Sequence, residues 1–181
     1  MYSRKVLRVR GFILGFVGCV ALLCVVAYLA ALAGWVPANA DAKPSAAERW
    51  YARIALNAAV RHGAPKNENP LSATPENLLA GLHVYNQNCA VCHGRSDGLP
   101  SAIAQGLYQR PPQFGKHGVE DDPAGETYWK VEHGIRMTGM PNFDKTLTEQ
   151  QKWQVTLFLQ KMDQLPPAVR AAWEARTASL F

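Results

Sequence analysis

The sequence predicts an all-α protein: a single N-terminal helix that crosses a membrane, then a helical domain beyond it. Three observations carry that reading. From Gly11 to Trp35 the chain runs 25 residues without a charged side chain, long enough for a span of the hydrocarbon layer. Further on, apolar residues recur at spacings of three and four behind Ser and Thr caps, the pattern of amphipathic helices. No stretch makes a convincing strand by alternation of apolar and polar residues.

The apolar run is the first element. At about 1.5 Å of rise per residue it covers the roughly 30 Å of a bilayer core. Residues 1–10 form a basic tail with Arg4, Lys5, Arg8 and Arg10, and Trp35 stands at the far edge of the span, residues 11–35. Basic flanks stay on the cytoplasmic side, so the rest of the chain is expected outside the cytoplasm. A cleaved secretory signal is the competing reading, because Ala38-Asn39-Ala40 has the small-x-small form of a cleavage site behind Pro37. Signals have apolar regions of only about 7–15 residues, which favours a retained anchor.

Residues 36–73 read as a connector holding a short, weakly amphipathic helix. Ser45 and Glu48 have the spacing of a capping box, Trp50, Ile54 and Ala58 recur every four residues, and Gly63 with Pro65 supplies a stop. That helix is expected near the membrane surface or against the domain. A domain over residues 74–165 begins with Thr74-Pro75, an N-cap and a first-turn proline, and Leu78, Leu79, Leu82 and Tyr85 trace an apolar face leading to Cys89. After His93 and Gly94 comes a long Gly-, Pro- and Gln-rich loop to Phe114-Gly115, a length that calls for an outside organiser. Asp122-Pro123 opens another helix, with Tyr128, Trp129 and Val131 expected inward and Gly134 as its C-cap. Thr148 and Gln151 form a second capping box before an apolar helix through Trp153, Leu157 and Phe158, closed by Pro166-Pro167. Residues 166–181 read as a C-terminal extension with a last short helix over 168–178.

The formal charge of +5 does not mark a nucleic-acid binder. Four of the 19 Lys and Arg residues lie in the N-terminal tail, leaving 15 against all 14 Asp and Glu. The exported part is therefore near neutral and needs no polyanionic partner.

The four cysteines form two unlike pairs. Cys19 and Cys24 lie in the apolar run, where a thiol behaves as a small apolar group. Cys89-Ala90-Val91-Cys92-His93 has the spacing at which two thiols form thioethers with haem vinyl groups and the adjacent imidazole ligates the iron. A thioredoxin-like pair would want a preceding strand in a βαβ unit. A zinc site would want two further ligands, for which only the scattered His83, His117 and His133 are available. A plain disulfide leaves His93 without a reason. Haem c, one per chain and covalent, is the cofactor expected.

An electron carrier also benefits from a sixth iron ligand, which excludes oxygen and peroxide. Met140, in Thr138-Gly139-Met140-Pro141, is the candidate, and a Met/His pair raises the reduction potential. Met137 and His133 are the alternatives. His62, His83 and His117 have no spacing that singles them out.

These residues together resemble a monohaem class I cytochrome c, more narrowly the membrane-anchored cytochromes related to the third subunit of cbb-type oxidases. The motifs are Gly81-x-x-x-Tyr85-x-x-x-Cys89-x-x-Cys92-His93-Gly94, Tyr128-Trp129-x-x-x-x-Gly134-Ile135 and Thr138-Gly139-Met140-Pro141-x-Phe143, over residues 74–164. The resemblance implies a class I cytochrome c domain around the haem. In it the first and last helices cross at Gly81, Tyr85 packs near Trp153 or Phe158, and a proline carbonyl, from Pro100, Pro111 or Pro112, accepts the proximal histidine's ring proton. It also makes Tyr108, Arg110, Trp129 and Arg136 candidate donors to the haem propionates.

The function this implies is non-catalytic electron transfer between redox partner proteins at the periplasmic face of a bacterial inner membrane. The alternatives are a haem subunit fixed in a larger oxidoreductase complex and a haem enzyme or sensor with an open sixth site.

Overall fold

In the computed structural model, which describes residues 2–115, 119 and 121–178, the regular backbone is helical and no strand forms among the described residues. The chain divides into two units, Met1–Ala42 and Lys43–Phe181.

The first unit is built on one helix, α1 (Tyr2–Leu32). Its segment Arg8–Leu32, 25 residues with a mean hydropathy of 2.7, is long and apolar enough to cross a membrane. The helix starts well inside the expected basic tail because residues 2–10 contain no Gly or Pro to break it. It ends three residues before Trp35. Gly34, at φ +73°, closes it in a Schellman turn, with the Trp35 amide donating to Ala30 O at 3.0 Å and the Gly34 amide to Ala31 O at 3.1 Å.

The second unit opens with α2 (Ala46–Gly63), which has the expected capping box between Ser45 and Glu48. Its 18 residues run from the Ser45 cap to the Gly63 stop, the bounds the sequence marks. Its C-terminal half lies against the domain through buried Val60, while Trp50, Tyr51 and Ile54 stay exposed.

Thr74 and Pro75 start α3 (Pro75–Asn88) as predicted, the Thr74 hydroxyl accepting from the Asn77 amide. Next come the single turn α4 (Ala90–His93), α5 (Ala102–Gly106), α6 (Ala124–His133) and α7 (Glu149–Gln160), the last capped by the predicted Thr148–Gln151 box. A 3-10 turn (Met162–Gln164) leads into α8 (Pro167–Ala178).

The core sits where α3 crosses α7. A methyl group on Gly81 would lie 2.7 Å from Gln154 C and 2.9 Å from Phe158 Cβ, so only a bare Cα admits α7 this closely. The expected crossing at Gly81 is thus the arrangement observed. Tyr85 and Phe158, both fully buried, meet there at a centroid separation of 5.5 Å. Trp153, the other partner expected for Tyr85, instead stacks on Tyr128 at 4.1 Å.

The C-terminal residues read as an extension complete this core. Val169 and Trp173 are buried, and the Trp173 ring stands edge-on to Tyr85 at 5.3 Å and to Phe158 at 5.6 Å. Pro167 restarts the helix after Leu165, and the Arg170 guanidinium donates to Asp163 O at 3.0 Å, which folds α8 back. Each aromatic contact of this kind adds about 0.5–1.5 kcal/mol to the area it buries.

Candidate haem-binding site

α3 delivers Cys89 as its C-cap, and α4 turns Cys92 and His93 out of the next turn. The amides of Cys92 and His93 both donate to Cys89 O, at 3.0 and 2.8 Å, which fixes the thiols and the imidazole on one short helical segment. Both cysteines are free thiols. Burial, reinforced by the neighbouring Cys92, pushes the Cys89 thiol up to about 12. A thiol–disulfide exchange site or a zinc-binding thiolate needs the opposite shift. Among the described residues, no three His, Cys, Asp or Glu side chains group to hold a metal ion; His117 lies outside the described residues.

The His93 ring is held on two sides. Its Nδ1 lies 3.0 Å from Pro112 O, and a carbonyl can only accept, so Nδ1 carries the proton and Nε2 presents its lone pair. Burial lowers the imidazole pKa, against the opposing pull of the Pro112 bond, and favours the neutral form that ligates iron. The Phe114 ring stacks on His93 at 4.4 Å and 1°, and the Phe114 amide donates to His93 O at 2.9 Å. Of the three prolines expected to support His93, the structure selects Pro112.

Gln113, not singled out in the sequence, ties the same loop to the motif by donating from Nε2 to Cys92 O and Pro111 O, each at 3.0 Å. Its Oε1 is buried without a partner. Phe114 too was missed; the only sequence signal for either was the Pro111-Pro112 pair beside Gly115, which marks a sharp turn. Tyr85 supports the motif from below, its hydroxyl donating to Gly94 O at 2.7 Å. Burial raises the phenol pKa, so it stays a donor. Tyr85→Phe leaves a buried carbonyl unpaired and is expected to cost about 1–3 kcal/mol in urea denaturation with little change in helix content.

The second loop leaves α6 at Gly134, whose φ is +66°. The Ile135 amide donates to Met140 O at 3.2 Å, and the Met140 amide to the Thr138 hydroxyl at 3.1 Å. Met140 is half-buried. Met137 has φ +63° and is 86% exposed. The two loops meet where the Leu107 side chain packs against Gly139, a Cβ at which would lie 3.0 Å from Leu107 Cδ1.

The chain on both sides of that loop is pinned to α7. The Phe143 amide donates to Val131 O and Glu132 O at 3.3 and 3.2 Å. Lys152, its side chain only 5% exposed, pairs with Glu132 and lies 3.5 Å from Asp144 Oδ1. Its ammonium sits 5.3 Å from the centre of the Tyr128 ring, and the Tyr128 hydroxyl donates to Glu132 at 3.1 Å. Burial alone would lower the lysine pKa, but the bonds to Glu132 and Tyr128 outweigh it and hold the value above its ordinary range.

The expected propionate donors are placed apart. Tyr108 donates its hydroxyl to Glu48 of α2 at 2.8 Å, and this bond, ahead of the Ser45 amide, lowers the Glu48 pKa. The Trp129 side chain lies over Gly63, with Cδ1 3.1 Å from the position of a Cβ there. Its ring also leans on His133 at 4.8 Å. Both side chains thus serve the contact with α2. Arg110 and Arg136 are exposed, and Arg136 lies in the Met140 loop. His62, His83 and His133 are also exposed.

The donor set fits haem c: two unpaired thiols, an imidazole fixed with Nε2 free, and apolar Val91, Leu99 and Ile103 left exposed on and after the motif. Such a group supplies one-electron redox chemistry. Comparison with a known protein family agrees. Residues 76–159 match the family described as cytochrome C oxidase, cbb3-type, subunit III. Over 92 residues, half of the chain, the sequence is 29% identical to quinohemoprotein alcohol dehydrogenase ADH IIB of Pseudomonas putida, of which it spans 12%. A chain of the reducing HAO-like protein complex of Kuenenia stuttgartiensis aligns with a TM-score of 0.44 and 25% identity, over 54% of this chain and 50% of that one. Residues 76–159 thus carry a class I cytochrome c-type domain, with the covalent haem c and electron-transfer chemistry such a domain implies.

Proposed function

We propose that the chain is a membrane-anchored electron carrier with one haem c, ligated by His93 and Met140 and held on the periplasmic side of a bacterial inner membrane. The observation that carries this reading is the fixed His93 ring: Nδ1 is committed to Pro112, and Cys89 and Cys92 precede it on the same short segment. Met140 is supported over Met137 by its half-buried position in a loop tied by its own backbone, whereas Met137 is open to solvent. Cys89 and Cys92 would take the thioether bonds, and an occupied sixth position keeps the site from acting on oxygen or peroxide. The apolar segment Arg8–Leu32 is the anchor, and residues 36–45 would serve as the tether to the domain.

A second reading has one observation in its favour. The matched stretch of the Pseudomonas putida dehydrogenase is a small part of a larger quinohemoprotein, which supports a haem module that receives electrons within an oxidoreductase complex. Copurification after mild detergent extraction separates a fixed subunit from a free shuttle.

The test is a pyridine haemochrome assay with a redox titration of the purified full chain, expected to give one haem per chain. The oxidised form is expected to show the near-infrared sulfur-to-iron charge-transfer band. Met140→Ala should abolish that band, lower the potential and open the reduced form to carbon monoxide; Met137→Ala should do none of these. Loss of the band in Met137→Ala instead would transfer the assignment to Met137. Absence of the band with ready carbon monoxide binding in the wild type would favour an open-site enzyme or sensor.

A further inference from the structure

Among the described residues of the domain, Lys152 is buried while the other lysines and arginines stay at or near the surface. A buried ammonium is costly unless its partners are close and well oriented, and its partners here sit at informative places. Glu132 lies one residue before the end of α6, ahead of the Met140 loop, and Asp144 follows Phe143 at the loop's exit. Lys152 itself projects from α7, one of the two helices that form the core. A single cation on a rigid helix therefore bridges the chain entering the loop and the chain leaving it.

We infer that Lys152, Glu132 and Asp144 form a clip that positions the Met140 loop, so that the cluster sets how readily Met140 leaves the sixth position. This rests on the reading of Met140 as the sixth ligand. Between the two clipped residues the loop has little packing of its own: Arg136, Met137, Thr138, Gly139, Pro141 and Asn142 are all exposed. Its closed form depends on the Ile135 amide bond to Met140 O and the Phe143 amide bonds to Val131 O and Glu132 O, on Gly134 lying against Pro141 and on Leu107 against Gly139. Without the Lys152 charge, Glu132 and Asp144 face one another across that neck as like charges, with the exposed His133 ring, Nε2 3.5 Å from Glu132 Oε2, the remaining basic neighbour of Glu132, and the bonds of Phe143 are the ones they would pull open. Tyr128 remains as a neutral donor to Glu132, which keeps α6 in place while the exit of the loop is released.

The test uses the full haem-loaded chain and two signals recorded in one thermal scan, the near-infrared band for Met140 and far-ultraviolet dichroism for the helices, with carbon monoxide affinity of the reduced form as the third readout. Lys152→Met is expected to lose the band at a temperature well below helix melting, and to raise carbon monoxide affinity about tenfold as the loop-open fraction grows. Asp144→Asn, at a side chain 58% exposed, should shift both readouts in the same direction by less, and decides the matter if Lys152→Met does not fold. Lys152→Arg should restore the wild-type band. If band and helices melt together in Lys152→Met and Asp144→Asn, with carbon monoxide affinity unchanged, the cluster is structural only and the inference is overturned. Should the wild type lack the band, or Met140→Ala keep it, the assignment of Met140 itself has failed, whatever the Lys152 variants do.

Discussion

Gly81→Val abolishes the cooperative thermal unfolding of the helical domain, the largest effect expected of any single substitution away from the haem-linked residues. Even the first methyl group meets the Gln154 carbonyl group and comes within 2.9 Å of Phe158 Cβ. The Gln154 carbonyl belongs to the α7 backbone and cannot rotate away as a side chain would. To make room, α7 must lift off α3, which parts Tyr85 from Phe158 and disturbs the seat of Trp173. Inserting atoms into a packed core commonly costs about 1–3 kcal/mol when side chains can adjust. Here backbone must move, so the loss is a substantial share of the roughly 5–15 kcal/mol that holds a domain together. Gly81→Ala should give an intermediate loss of melting temperature. Gly106→Ala is the control, because a Cβ there meets nothing within 4 Å; it is expected to be neutral or to stabilise by up to about 1 kcal/mol. Equal behaviour of the Gly81 and Gly106 variants in a thermal melt would contradict the close-crossing account.

Gly134→Ala is expected to destabilise the domain by about 2–5 kcal/mol and to displace the Met140 loop. Two independent costs coincide at this residue. Its φ of +66° and ψ of −169° lie in a region that essentially only glycine occupies, a strain of about 1–3 kcal/mol for any other residue. A Cβ would also sit 2.6 Å from both Pro141 C and Pro141 O and 2.7 Å from Met140 O, so the strand carrying Met140 has to retreat. The expected readouts are a lower urea midpoint and, with Met140 as ligand, loss of the near-infrared band at temperatures where the helices are intact. A Gly134→Ala chain that kept both would show that the loop passes this point with more freedom than its contacts indicate.

Both substitutions fall on glycines, and the sequence treats them differently. Gly134 was readable as a C-cap after His133, because a glycine that ends an apolar-periodic segment has a local reason to be there. That it also carries the returning segment of the Met140 loop was not readable, since Pro141 is brought there by the Ile135 amide bonding Met140 O and the Phe143 amide closing onto the end of α6. Gly81 was legible only through family resemblance. Within its own helix it looks like a defect, and its reason is a backbone carbonyl 73 residues further along the chain.

The same division runs through the candidate site. Cys89, Cys92 and His93 were legible because their chemistry and spacing are contained within one helical turn. The three candidate prolines for His93 were equivalent in the sequence, and only the path of the intervening loop brings Pro112 rather than Pro100 or Pro111 to the ring. Tyr108 and Trp129 had the right chemistry for anion recognition, yet both turn to α2, whose following segment is tied to α7 by Asn69 Nδ2 donating to Trp153 O at 3.0 Å.

What the sequence by itself determined is therefore the local part: the apolar span, the capped helices in their order, and the thiol–thiol–imidazole segment that names the cofactor. Each depends on residues within a few positions of one another, where covalent connection fixes the geometry. The tertiary structure alone decided which proline holds His93, that α8 completes the core, that two aromatic candidates serve α2, and that a lysine is buried at the neck of the Met140 loop. Those contacts join residues far apart in the chain, where only the folded path of the intervening segments, the close α3–α7 crossing among them, brings the partners together.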